Sequence, residues 1–130
     1  MGLDGCRHCF GPDAETVWSH HHDLTRPTIL TRESHFTVVR RACAACGQPF
    51  VIAYGERISW RGGNDELDAL LVPVTDTESA TLAAADEDTI EDALRRLTPE
   101  RRYLLRFGEG DPRGAHLAFR EGAIWVPPHD

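Results

Sequence analysis

The sequence has no lysine; all 14 of its basic residues are arginine. A GC-rich genome would account for that usage without a chemical reason. Also missing is any apolar run near the ~20 residues that a membrane-spanning helix needs. The opening Met-Gly-Leu-Asp-Gly-Cys carries neither a basic segment nor an apolar stretch, so no export signal is expected and the cytoplasm is the expected compartment. There is no Gly-rich phosphate loop, no H-E-x-x-H and no meaningful Ser-His-Asp order, which removes the common nucleotide-binding, metalloprotease and hydrolase signatures. Glu56, Asp65 and Asp68 are available for proton transfer, but no spacing singles them out. No catalytic residue is expected, and the balance is against an enzyme.

Charge is present but unevenly placed. The net charge of −7 divides into +1 for residues 1–61 (seven Arg, six acids) and −8 for residues 62–130 (seven Arg, fifteen acids). An acidic half repels phosphate backbones, which argues against general nucleic-acid binding. Asp76, Glu78, Asp86, Glu87, Asp88, Glu91 and Asp92 run without a base until Arg95. Acids at helix N-termini complement the helix dipole and keep a surface soluble. The alternative is an interface for a basic partner.

The four cysteines are the most informative residues. They form two C-x-x-C pairs, Cys6/Cys9 and Cys43/Cys46, separated by 33 residues. Thiolates bind soft tetrahedral metals, and two intervening residues let a tight turn aim both sulfurs at one point. Two pairs that use up every cysteine point to a closed tetrathiolate site. Gly47 after the second pair suits a knuckle turn that needs positive φ; Phe10-Gly11 after the first is a looser version. Two disulfides are the alternative, but a C-x-x-C disulfide is strained and the chain does not look secreted. Ligand type favours zinc over iron. His8, inside the first pair, is placed to donate a hydrogen bond or face water.

These features resemble a zinc ribbon, the rubredoxin-like class in which two hairpin knuckles hold the metal beside a small antiparallel sheet. The resemblance rests on Cys6, Cys9, Cys43, Cys46 and Gly47 and covers about the first 60 residues. It implies one structural zinc. It does not select a function, because such ribbons serve in transcription, translation, enzymes and adaptors.

Around the cysteines, Thr16–His20 and Thr28–Thr31 read as short strands and residues 35–41 as a strand entering the second knuckle. Phe50–Tyr54 leaves the knuckle as its hairpin partner. Gly55 reads as a break or bulge, after which residues 56–60 continue extended. Arg61-Gly62-Gly63-Asn64-Asp65 is a turn and a soft domain boundary. Leu67–Val74 is apolar, with Pro73 making its end an edge or an extended exit. Thr75-x-x-Glu78 and Asp88-x-x-Glu91 are capping boxes, and Ile90, Ala93, Leu94 and Leu97 mark an amphipathic helix. Thr98-Pro99-Glu100 starts a second helix ending at Gly108, with a strand over 103–107 as its competitor. Residues 116–120 and 123–126 read as a hairpin. The expected architecture is α+β: a zinc ribbon over 1–61, and over 62–130 a helix-containing segment with a C-terminal hairpin packed on it.

Two further groups stand out. His20-His21-His22 reads as a solvated loop; a second metal there would need another ligand such as His35. Arg7, Arg40 and Arg41 flank the cysteines and form a candidate patch for a partner or an anion, or else offset the charge of a zinc tetrathiolate. The expected partner is another protein, with nucleic acid as the alternative and no membrane. A rubredoxin-like redox protein is the second alternative.

Overall fold

Apolar residues of both parities in the middle of the chain dictate a sheet that is covered on both faces. Phe50-Val51-Ile52-Ala53 and Ala69-Leu70-Leu71-Val72 leave no polar side for solvent, and all eight are buried. The computed structural model describes residues 5–57, 66–108 and 115–129. Within them lies a six-stranded antiparallel sheet in chain order: β1 (Thr28–Arg32), β2 (Phe36–Ala42), β3 (Pro49–Arg57), β4 (Glu66–Pro73), β5 (Arg102–Phe107) and β6 (His116–Glu121). Four short α-helices accompany it, α1 (Arg7–Phe10), α2 (Ala14–His20), α3 (Asp76–Ala84) and α4 (Ile90–Arg95), with a 3-10 turn at His21–Asp23 after α2 where a loop was expected. The architecture is α+β.

The register sorts side chains into two layers, because successive strand residues point to opposite faces. One row crosses the sheet as Val39, Ile52, Leu71, Leu104 and Phe119. Phe10, Val17 and Leu24 of the N-terminal segment pack on this face beside Cys9 and Cys43. On the other face Val38, Val51, Ala53, Leu70, Val72, Tyr103 and Leu105 pack with Leu82 of α3, Ile90 and Leu94 of α4, and the trailing Ile124 and Val126. The expected boundary at residue 61 lies outside the described residues. On either side of it β3 and β4 pair from Phe50↔Pro73 to Arg57↔Glu66.

Several elements differ from the sequence expectation. Residues 16–20 are helical, because Asp13 caps α2 by accepting the Thr16 amide (3.0 Å) and hydroxyl (2.6 Å), which outweighs the strand preference of Thr-Val-Trp. Residues 103–107 belong to β5: Tyr103 and Leu105 serve one layer and Leu104 the other, a period of two that a helix cannot supply. Thr98 caps no helix; its carbonyl and hydroxyl oxygens accept from Arg101 instead. β6 pairs with β5, and residues 123–126 form no strand but cross the sheet face, where Tyr103 donates to the Ala123 carbonyl at 2.7 Å. Gly55 makes no bulge. It keeps regular register with Phe36 and Asp68, and its missing side chain admits the Pro127–Pro128 backbone. The continuation over 58–60 and the turn at 61–65 lie outside the described residues.

Other expectations match. The Thr75/Glu78 capping box is present in both directions, at 3.1 and 2.9 Å. By contrast, the box expected at Asp88/Glu91 does not form: Thr89 is the N-cap of α4 and its side chain makes no cap bond, while in the turn before the helix two amide-to-side-chain bonds join Asp86 and Thr89. Asp86 accepts the Thr89 amide (3.0 Å), and the Thr89 hydroxyl accepts the Asp86 amide (3.1 Å). Pro73 ends β4 as an exit beyond the part of the strand that pairs with β5. Among the described residues no helix is long and apolar enough to cross a membrane.

Candidate metal centre

The second C-x-x-C sits in the turn between β2 and β3, a true hairpin knuckle. The Gly47 amide donates to the Cys43 carbonyl (2.8 Å), the Cys43 amide donates to the Gln48 carbonyl (2.9 Å), and Gly47 adopts φ +81°. Gln48 is buried and anchors the knuckle by donating to the Pro49 and Val74 carbonyls. The first pair departs from the ribbon pattern. Cys6 is the N-cap of α1 and Cys9 lies one turn on, so this knuckle is helical. Gly11, after it, is extended rather than positive in φ. Arg102 holds that turn down: its Nη2 donates to the Phe10 (2.8 Å) and Gly11 (3.0 Å) carbonyls, and its guanidinium lies over the Phe10 and Phe119 rings.

These two turns bring together cysteines that are 37 residues apart. The sulfurs of Cys6 and Cys9 are 3.6 Å apart, Cys6 and Cys43 3.8 Å, and Cys9 and Cys46 3.7 Å, and all four lie within 4.8 Å of one another. Four sulfurs at the Zn–S distance of about 2.3 Å form a tetrahedron with edges of about 3.8 Å. The donor set therefore fits a tetrahedral metal with no position left for water. None of these separations approaches the ~2.05 Å of a disulfide, and all four cysteines are free. Cys9 and Cys43 are buried while Cys6 and Cys46 are partly exposed, so the site opens on one side.

Without a cation the thiols of Cys6, Cys9 and Cys46 are shifted in different directions. The Cys9 amide, helped by that of His8, pulls Cys6 down to about 6 against the opposing effect of burial. Burial pushes Cys9 and Cys46 up. A bound divalent cation favours the thiolate at every position.

The three flanking arginines do not converge. Arg40 and Arg41 are neighbours in β2 and leave opposite faces. Arg40 bonds Ser79 of α3, on the layer away from the cysteines. Arg41 lies on the cysteine side, where it donates to the carbonyls of Thr25, His22 and Leu24 and straps that segment to β2. Arg7 is exposed on α1. Arg102 was not singled out by sequence; the alternation Arg102, Leu104, Arg106 carried the signal, but only once those residues are known to be a strand.

The histidine tract is partly buried rather than solvated. His21 is 3% exposed, with the tilted rings of Trp18 and His22 each centred 4.0 Å from its own and its Nδ1 against the Trp18 carbonyl. Burial lowers its pKa. His20 faces Asp23, and His35 bonds Glu56 at 3.1 Å. Asp68 has a structural setting, accepting the Gly108 amide at 3.0 Å. Among the described residues, the four cysteines are the group of ligating side chains gathered closely enough to share an ion. No protein-family model, curated protein or solved structure matches the chain.

Proposed function

We propose that the chain is a non-enzymatic, cytoplasmic, zinc-ribbon-like module that binds another protein as an adaptor or regulator. One zinc, held by Cys6, Cys9, Cys43 and Cys46, has a structural role. In this reading residues 1–61 form the ribbon and residues 62–130 an α+β segment packed on it as one unit. The observation that carries it is the sulfur geometry. Three sulfur pairs at 3.6–3.8 Å match the edges of a zinc tetrathiolate. Four protein thiolates close the coordination sphere, whereas a catalytic zinc keeps a position for water. The metal would tie the N-terminal segment to the β2–β3 knuckle, adding to the apolar contacts of Phe10, Val17 and Leu24 and to the bonds from Arg41 and Arg102.

Metal analysis with X-ray absorption on the purified protein tests the site. One zinc per chain with sulfur-only ligation is expected. An Fe(III)–thiolate spectrum would replace this reading with a rubredoxin-like redox one, and two disulfides by mass would remove the metal altogether. Affinity capture from the native host, with Cys43→Ala as the unfolded control, tests the binding role. A chain that retains zinc and captures nothing beyond the control refutes it.

A further inference from the structure

The two cysteine pairs are not equally open to attack. Cys43 and Cys46 sit in a hairpin held by its own backbone bonds, from the Gly47 amide to Cys43 and from the Cys43 amide to Gln48. Cys6 and Cys9 sit on the single turn of α1. Cys6 lines a surface depression of about 400 Å³ that it shares with Phe10, Gly11 and two arginines, Arg7 and Arg102. Among the described residues no carboxylate lines it. Reactive cysteines occupy partly exposed, electropositive settings, whereas buried structural ones are inert. Cys6 meets both conditions. Cys9 and Cys43 are each 2% exposed, and Cys46, though partly exposed, does not line the depression.

A second sulfur is in place beside it. Cys9 Sγ lies 3.6 Å from Cys6 Sγ, closer than the 3.8 and 3.7 Å contacts that cross to the other knuckle. Residues three apart on a helical turn have Cα atoms about 5 Å apart, inside the window of about 4.4–6.8 Å over which a disulfide closes. An accessible cysteine poised next to a resolving thiol is the arrangement of a redox sensor. Metal coordination deprotonates a thiol outright, so a bound cation keeps both sulfurs as thiolates, the form that attacks.

We propose that Cys6 is a site of oxidation by hydroperoxides, and that Cys9 resolves the oxidised sulfur into a disulfide that releases the metal. This rests on the structural-zinc reading above. The Cys6 thiolate attacks one peroxide oxygen; the O–O bond breaks, alkoxide leaves (hydroxide when the oxidant is hydrogen peroxide), and Cys6 becomes a sulfenic acid. The Cys9 thiolate then attacks the Cys6 sulfur, the S–S bond forms, and hydroxide leaves. The two thiolates give up two electrons, the peroxide takes them, and water protonates the departing oxygens. Both ligands on α1 are lost together, so the cation retains only Cys43 and Cys46 and dissociates. The hairpin keeps its backbone bonds, while α1 loses its link to the knuckle through the metal.

The test treats the zinc-loaded full chain with hydrogen peroxide in the presence of a chromophoric chelator, against a sample without peroxide. Peptide mass mapping after thiol alkylation locates the disulfide, and a parallel sample containing dimedone traps sulfenic acid. One zinc should be released per disulfide formed. The disulfide should join Cys6 and Cys9, with Cys43 and Cys46 still open to alkylation, and the dimedone adduct should fall on Cys6. Reductant plus zinc should restore the metal content. Trapping on the unaltered chain avoids cysteine variants, which lose a ligand and the fold with it. Zinc retained under peroxide, zinc lost without a disulfide, a first disulfide between Cys43 and Cys46 or between the two knuckles, or an adduct on Cys46 in place of Cys6 would each overturn the proposal. A chain that holds zinc and keeps it under peroxide refutes the switch alone; a chain that holds no zinc before peroxide is added refutes the structural site and the switch together.

Discussion

Arg101 Nη2 lies 2.6 Å from Glu78 Oε2, with the arginine side chain 1% exposed. A second bond runs from Nη1 to Oε1 at 2.9 Å, and Nη1 also donates to the Pro73 carbonyl. This forked pair joins the start of α3 to the end of β4 and to the chain entering β5. Removing one partner of a buried pair leaves the other uncompensated, so Arg101→Met should cost about 3 kcal/mol in urea unfolding. Burial alone would raise the Glu78 pKa, but the bonds from Arg101 and the Thr75 amide more than offset it and hold the carboxyl below its ordinary 4.5. A carboxylate lowered by folding adds stability that is present above the unfolded value and lost as pH falls through the folded one. The stability gap between the unaltered chain and Arg101→Met should therefore narrow below about pH 4.5. A gap that stays constant to lower pH would place the cost in packing rather than in the ion pair.

Metal removal should act on one layer before the other. The four thiols join α1 to the knuckle, whereas the α3–α4 layer is held by a separate apolar cluster. Structural zinc supplies apparent folding free energy on the order of 10 kcal/mol. Chelation should therefore strip hydrogen-exchange protection first from residues 6–24 and 43–48, with amides of β4 and α4 exchanging later. Cys6→Ala should reproduce the pattern. A folded apo-protein with unchanged protection across residues 6–24 would mean that the metal is not structural.

The gathering of the four cysteines was legible because it rests on spacing alone: two short motifs and one positive-φ glycine survive any error in secondary structure. Strands β1 to β3 were legible for local reasons, from β-branched runs and the knuckle between β2 and β3, whereas β4 was read only as an apolar stretch ending at Pro73. What could not be read was decided at long range. Tyr103-Leu104-Leu105 suits a helix locally, yet it lies between β4 and β6, whose open edges need a partner for their backbone groups. Gly55 looked like a break because the cause of its small size, the Pro127–Pro128 segment, lies more than 70 residues further along the chain. The arginine patch failed to assemble for a simpler reason. Adjacent strand residues cannot share a face, and Arg40 and Arg41 are adjacent in β2.

Two glycines should respond differently to alanine. A Cβ on Gly55 would lie 2.7 Å from the Pro128 carbonyl oxygen and 2.9 Å from Pro127 Cβ, so backbone must shift. Gly55→Ala should cost about 1–3 kcal/mol by overpacking, loosening residues 124–129 while zinc content holds. Gly47 has open space around it but φ of +81°. Gly47→Ala should cost about 1–2 kcal/mol through the backbone alone and should speed zinc loss to a chelator, because the strain falls within the knuckle. Differential scanning with metal release by a chromophoric chelator separates the two. Equal zinc loss from both variants would contradict the assignment.

The placement of the arginines sets the expectation for nucleic acid. Three phosphate contacts from Arg7, Arg40 and Arg41 would give a salt slope of about −2.7 on logarithmic axes. The structure divides that set. Arg40 faces α3 and its acidic layer, and Arg41 already donates to three carbonyls. Arg7 alone of the three is exposed. A duplex near the α3–α4 side would also meet repulsion that grows as salt falls. Random DNA or RNA should therefore show no measurable binding near ~150 mM salt and weak binding at most near ~50 mM. A gel-shift series across that range checks it, with the Arg40→Glu plus Arg41→Glu double variant expected to change neither result. Sub-micromolar binding that persists at the higher salt and disappears in the double variant would move the chain into the nucleic-acid class, and the protein-partner reading would fall.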